Sequence, residues 1–212
     1  MSLNLRSRLI LLLVAELIAG LIWYLTVSAH HPAPASAFIA LSQVSVPEMP
    51  ARAAAWVQAA PPLRREAAAI ETLAAVVTMT RPGAMPYVVS AICRRQPEVT
   101  GAVVSHAIQL QPDYELAFCR AAVCAAPERV ESVVMAACSV NPTNFPDVAL
   151  EVYQRVPQYQ QLILAGLTNA LPYVAPCLEQ ALGEVAPGDF TALLNQTVQH
   201  VNEAAQKLNG KK

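Results

Sequence analysis

The side chains that could do chemistry in this 212-residue chain are few and widely spaced. Asp147 and Glu151 are four residues apart, a spacing that places two carboxylates on one face of a helix, where they could act as an acid/base pair or bind a cation. Arg155 lies a further four residues on, so we favour an ion-paired surface over either function. The chain contains no Ser-His-Asp order, no Gly-rich phosphate loop and no HExxH motif. We therefore predict that the protein is not an enzyme.

Metal and cofactor sites are not predicted either. The chain has five cysteines but no CxxC motif, and none of its four histidines has a metal-ligand spacing from a cysteine. Adjacent His30 and His31 have no nearby acid or thiol to complete a ligand set, and they are typical of a solvated linker. We expect no metal and no cofactor.

The composition favours a helical protein whose partners are not nucleic acids. Hydrophobic residues make up 55% of the chain and charged residues 14%, which excludes a disordered chain. The formal net charge is −1, so the chain has no basic field to hold a phosphate backbone. Aromatic residues are only 6%, which suits short helices better than a β-sandwich. These observations predict an all-α fold.

A proline repeat organises most of the chain. Proline recurs eight times at an unbroken spacing of 15, at Pro82, Pro97, Pro112, Pro127, Pro142, Pro157, Pro172 and Pro187. Six positions after each proline the residue is always apolar, from Val88 to Leu193. Proline is tolerated in the first turn of a helix, so each period predicts one short amphipathic helix and a tight turn. A single long helix kinked at each proline is disfavoured, because an interior proline costs about 3 kcal/mol.

Short helices of this kind are stable only when they pack on neighbours, and tight turns make consecutive helices antiparallel. We predict an α-solenoid of about ten short antiparallel helices with a 15-residue period. The frame extends upstream to a repeat from Ala67 to Arg81, while Pro47 and Pro62 are five residues out of phase. The architecture resembles HEAT and tetratricopeptide solenoids only in its stacked helix pairs, and no signature residue of either family is present.

The solenoid prediction brings one pair of cysteines together. Cys93 and Cys124 follow their prolines by 11 and 12 residues, in repeats two apart that should run parallel at similar heights. They are therefore the best candidates for a disulfide, although neighbouring helix axes are normally farther apart than the Cα separation that a disulfide allows. Free, buried thiols are the alternative.

The N-terminus predicts either a membrane span or a signal segment. Arg6 and Arg8 precede an apolar run over residues 9–29, which is long enough to span a bilayer and ends in a Val-Ser-Ala sequence suitable for cleavage. Because the arginines precede the apolar run, the N-terminus is expected in the cytoplasm and the chain after residue 30 on the periplasmic or extracytoplasmic side. If the segment is cleaved, that part of the chain is secreted. Glu16 within the run, beside Ala19 and Gly20, predicts a contact with another membrane helix. The alternative is a protonated glutamate that is tolerated in a cleaved or only marginally inserted segment.

The predicted organisation has four parts. Residues 1–29 form the anchor or signal segment, 30–46 an Ala/Pro/Ser linker, 47–201 the helical-repeat domain and 202–212 a polar C-terminal cap.

The predicted function is that of a protein-binding scaffold on the non-cytoplasmic side of a membrane, contacting its partner through aromatic side chains near the helix starts. These are Tyr87, Tyr114, Phe145, Tyr159, Tyr173 and Phe190. The alternative for these six side chains is that they pack one repeat against the next. The alternative is an accessory subunit of an integral membrane complex, bound through its transmembrane helix. The oligomeric state is left open.

Overall fold

The computed structural model describes residues 37–79, 82–186 and 188–209. Helices account for 87% of these residues, and no strand occurs among them, which confirms the predicted all-α class. The predicted span over residues 9–29 lies outside the described ranges. Within those ranges, none of the helices combines the length and the apolar character needed to cross a bilayer.

Eleven α-helices follow one another in the described chain. They are α1 (Ala37–Leu41), α2 (Met49–Ala59), α3 (Arg65–Met79), α4 (Met85–Arg95), α5 (Thr100–Leu110), α6 (Glu115–Ala125), α7 (Val130–Val140), α8 (Phe145–Arg155), α9 (Gln160–Ala170), α10 (Ala175–Glu184) and α11 (Phe190–Asn209). The eight-proline period is therefore a helical repeat, as predicted.

From Pro82 to Pro157, the proline of each repeat begins a 3-10 turn and not the α-helix itself. Pro97, for example, opens the turn Pro97–Val99, and α5 begins three residues after the proline. Proline disfavours helical backbone angles in the residue before it, and Gln96 accordingly has φ −137° and ψ 72°. The preceding helix must end at that point, which is why the helices from α4 to α9 are each 11 residues long.

The helices form two layers, since each helix from α1 to α9 makes its most extensive contacts with a helix two positions away. Side-chain bonds join equivalent ends of such helices. Arg65 at the start of α3 pairs with Glu98 in the turn before α5, and Arg95 at the end of α4 bonds to Gln58 near the end of α2. Helices two apart therefore run in the same direction, and the arrangement is solenoid-like.

The apolar residue six positions after each repeat proline forms the core between the layers. All eight of these residues are buried: Val88, Val103, Phe118, Val133, Val148, Ile163, Leu178 and Leu193. The burial follows from the 15-residue period, because it returns the same helix position to the same layer interface in each repeat.

Three boundaries differ from the prediction. Ala37–Leu41 is helical and its ends are buried, so the predicted linker over 30–46 is wrong across these five residues. The upstream repeat begins at Pro62 and not at Ala67, because Pro62–Arg64 is a 3-10 turn that leads directly into the 15-residue helix α3. The predicted break at residue 202 is also absent, since α11 continues through it.

The C-terminal helix departs from the alternation of layers. The α11 helix, and not α10, makes the extensive contact with α8, where the rings of Phe190 and Tyr153 stack with centroids 4.2 Å apart. Asp189 caps α11 by accepting a hydrogen bond at 2.9 Å from the backbone N–H of Ala192. The array therefore ends with a capped helix stacked on the layer of α8.

Candidate functional site

An open groove of about 890 Å³ lies over the junction of α2 and α4. Val46, Pro47 and Pro50 line the side that leads into α2. Tyr87, Ala91 and the arginines at the end of α4 line the other side. The volume falls within the range of pockets that bind small molecules or short peptide segments.

Tyr87 supplies the aromatic side chain of this groove. It lies on the side of α4 opposite the buried Val88 and Ile92, and 69% of its surface is exposed. Tyrosine presents a large rigid apolar surface with a polar tip, so it is a common anchor in protein interfaces. The sequence analysis predicted Tyr87 as a partner-binding residue, and its position in the groove is compatible with that role.

Two guanidinium groups close one end of the groove. Arg94 and Arg95 both line it, and Arg95 donates a hydrogen bond to the Gln58 side chain at 3.4 Å. Neither arginine has an ion-pair partner among the residues that the structure describes. In the described part of the chain, no acidic side chain lines the groove, so its polar end is cationic.

The distribution of charged residues along the chain also makes the region around the groove positive. Residues 37–95 include six arginines and three acidic residues, whereas residues 96–186 include three arginines and nine acidic residues. The near-zero net charge of the whole chain therefore conceals two oppositely charged segments. The groove belongs to the cationic one.

The six predicted aromatic contacts divide by burial. Tyr173 is 54% exposed, and Tyr114 and Tyr159 are half-buried. Phe145 and Phe190 are only 5% and 2% exposed, so the prediction that they lie on the surface is wrong. Phe145 begins α8 with its side chain in the core, and Phe190 is covered by Tyr153. Only Tyr87 among the six lines the groove.

Glu151 is ion-paired, as the sequence analysis favoured. Its Oε1 accepts hydrogen bonds from Arg120 Nε at 2.6 Å and from Arg155 Nε at 3.3 Å, which joins α6 to α8. The bond from Arg120 is the main cause of a lowered pKa of the Glu151 carboxyl group. Asp147 is exposed and takes no part in this cluster. The Asp147–Glu151 spacing therefore forms no convergent acid/base site.

A buried carboxylate that the sequence analysis did not single out lies at the start of α6. Glu115 is 4% exposed, and its Oε2 accepts hydrogen bonds from the side-chain amides of Asn141 at 3.1 Å and Asn144 at 2.5 Å. The equivalent residues of other repeats include Met85, Val130 and Phe145. A glutamate at a repeat position that is apolar in those three repeats was a sequence signal that could have identified Glu115. Its contacts join α6 to the turn before α8, which is a structural role.

All five cysteines are free thiols in the structure. Cys93 is buried and Cys124 is exposed, so the pair predicted as a disulfide is not joined here. Burial raises the pKa of the Cys93 and Cys138 thiols to about 12 in each case, and it also raises the pKa of Cys119. The buried thiols therefore act as small apolar side chains in the core.

The remaining polar cluster joins the last two helices. His200 Nε2 lies 3.0 Å from Glu184 Oε2. The side-chain amides of Gln180 and Gln196 donate hydrogen bonds to the same carboxylate. The bond from Gln180 is the main cause of a lowered pKa of the Glu184 carboxyl group. No group of three or more His, Cys, Asp or Glu side chains in the described ranges has the geometry of a metal site. The predicted membrane-helix contacts Glu16, Ala19 and Gly20 lie outside those ranges.

Comparison of the chain with known protein families, curated proteins and solved structures gives no match.

Proposed function

We propose that this protein is a membrane-anchored or exported helical-repeat scaffold that binds another protein on the non-cytoplasmic side of a membrane, with the groove between α2 and α4 as its binding surface. The observation that carries the proposal is the exposed Tyr87 in a groove with an apolar wall and a cationic end. Solenoids commonly bind partners through extended surfaces, and an exposed aromatic side chain in a concavity is typical of a binding anchor.

The location is proposed from the N-terminal sequence. Arg6 and Arg8 before the apolar run over residues 9–29 orient the segment with the repeat array on the far side. The array offers a direct test because Cys124 is its exposed thiol, whereas the other four cysteines are buried. We expect a membrane-impermeant maleimide to label Cys124 in intact cells, and Cys124→Ser to abolish the labelling. Labelling that requires lysis would place the array in the cytoplasm.

Binding is tested by site-specific photo-crosslinking in the native host. A photoreactive amino acid in place of Tyr87 should give one discrete adduct with a partner protein. The same amino acid in place of Gln109, which is exposed on α5 in the other layer, should not. Equal crosslinking from both positions, or none from either, would contradict a binding surface at the groove.

Truncation separates the scaffold from the accessory-subunit alternative. If residues 31–212 alone give the same adduct from position 87, the repeat array is the binder. If the partner is captured only by the full chain and independently of position 87, the transmembrane segment is the binder, and the scaffold proposal fails.

A further inference from the structure

The ion pair on α8 and the groove on α4 occupy the same repeat positions. Glu151 and Arg155 follow Pro142 by nine and thirteen residues, and Ala91 and Arg95 follow Pro82 by the same numbers. In α8 the arginine donates to the glutamate one turn before it, at 3.3 Å. In α4 an alanine stands where that glutamate would be. Ala91 and Arg95 both line the groove.

Arginine at this repeat position is restricted to α4 and α8. The other repeats from Pro97 onward have Leu110, Ala125, Val140, Ala170, Val185 or His200 there. The α4 helix thus has the cation of the α8 pair without its carboxylate, and Arg94 adds a second cation beside it. A carboxylate that a partner brings to Arg95 would replace the ion pair that Glu151 and Arg155 form within α8.

We infer that the groove binds a peptide segment of the partner protein that carries an aspartate or glutamate about four residues from an aliphatic or aromatic side chain. The inference rests on the proposed binding function and specifies its partner. The acidic side chain pairs with Arg94 and Arg95 at the end of α4, and the apolar side chain packs on Tyr87 and Val46. Charge-assisted hydrogen bonds of this type are about twice as strong as neutral ones.

The spacing follows from helix geometry. Tyr87, Ala91 and Arg95 recur every four residues and share one face of α4. At a rise of 1.5 Å per residue, Tyr87 and Arg95 are separated by roughly 12 Å along the helix axis. An extended peptide covers that distance in about four residues.

The test begins with selection of a display library of random 12-residue peptides on the full chain in detergent micelles. Enriched peptides should contain an acidic residue about four positions from an apolar one. The best peptide is then synthesised with its acidic residue and with the corresponding amide, and both dissociation constants are measured by fluorescence polarisation. We expect the amide version to bind about tenfold more weakly, which corresponds to a net loss of one charge-assisted bond.

Variants of the protein locate the contact. Ala91→Glu should supply the carboxylate within the chain and pair with Arg95. We expect it to lower the affinity for the acidic peptide about tenfold, which corresponds to the loss of one charge-assisted hydrogen bond. Its fold should persist, because Glu151 occupies the equivalent position of α8, and circular dichroism checks this. Gln109→Glu adds the same charge to the other layer and should leave affinity unchanged. Tyr87→Ala should weaken binding, whereas Leu182→Ala removes an exposed apolar side chain away from the groove and should not.

Absence of enrichment, enrichment without acidic residues, equal binding of acid and amide, or full binding by the Ala91→Glu variant would each overturn the inference. If a partner crosslinks from position 87 but the acid and amide peptides bind equally, the preference for an acidic segment is wrong. The proposed scaffold function is then unaffected. Failure of the scaffold itself is recognised separately, by the absence of any adduct from position 87.

Discussion

At the residue scale, Glu151 shows how single charges stabilise the contact between helices two apart. Its carboxylate receives hydrogen bonds from Arg120 on α6 and Arg155 on its own helix, and they lower its pKa. A carboxyl group whose folded pKa lies below its unfolded value, about 4.3 for glutamate, stabilises the fold above that value. The stabilisation is lost as the pH falls through the folded pKa.

We therefore expect Glu151→Gln to lower the free energy of unfolding by roughly 1 kcal/mol at pH 7, since the pair is partly exposed. The difference from wild type should shrink as the pH falls below about 4.3. Urea unfolding of residues 37–212 at pH 7 and pH 3.5 measures both values.

Asp147→Asn is the matched control, because Asp147 lies one turn earlier on α8 and forms no ion pair among the described residues. Its unfolding free energy at pH 7 should fall by less than that of Glu151→Gln, because Asp147 contributes only its favourable charge in the first turn of α8. A Glu151→Gln difference that grows towards low pH would show that this carboxylate does not act through its charged form.

At the scale of the helix pair, the contact between α7 and α9 depends on a missing side chain. A Cβ atom added to Gly166 would lie 2.8 Å from the Glu131 carbonyl oxygen and 3.0 Å from Val134 Cβ. Neither atom belongs to the flexible end of a side chain, so the helices themselves would have to separate.

Gly166→Ala should therefore destabilise the array by about 1 to 3 kcal/mol. This loss should exceed the gain of about 1 kcal/mol that alanine brings to a helix interior. The urea midpoint of residues 37–212 gives the measurement.

Gly101→Ala provides the comparison, since its Cβ would meet the Ser132 carbonyl oxygen at 3.5 Å, an ordinary contact. That variant should be neutral or slightly stabilised. Equal effects of the two substitutions would mean that α7 and α9 are not in tight contact at Gly166.

At the scale of the whole repeat array, stability should follow pairs of repeats and not single ones. Each helix from α1 to α9 packs mainly on helices two positions away, so removal of thirty residues keeps the remaining helices in their own layers. Removal of fifteen residues transfers each following helix to the other layer, where its apolar face no longer matches its neighbours.

We expect a chain lacking residues 112–141 to remain helical and to unfold cooperatively. A chain lacking only residues 112–126 should be less stable although it loses fewer residues. Both deletions are made in the segment 37–212, which forms one compact unit. Urea unfolding followed by circular dichroism compares their stabilities. The reverse order of stability would contradict the two-layer packing.

The sequence by itself determined the helical repeat. A proline every fifteen residues ends one helix and begins the next through local backbone sterics, and the apolar residue six positions later identifies the buried face. Both are short-range effects, so they could be predicted without knowledge of the packing.

The binding surface was decided only by the tertiary structure. Tyr87 and Phe190 both lie near the start of a repeat helix, yet Tyr87 lines an open groove and Phe190 lies beneath Tyr153. The exposure of an aromatic side chain depends on which helix packs over it, and the two layers bring that helix from a distant part of the chain. The place of α11 beside α8 and the start of the array at Ala37 are long-range outcomes of the same kind.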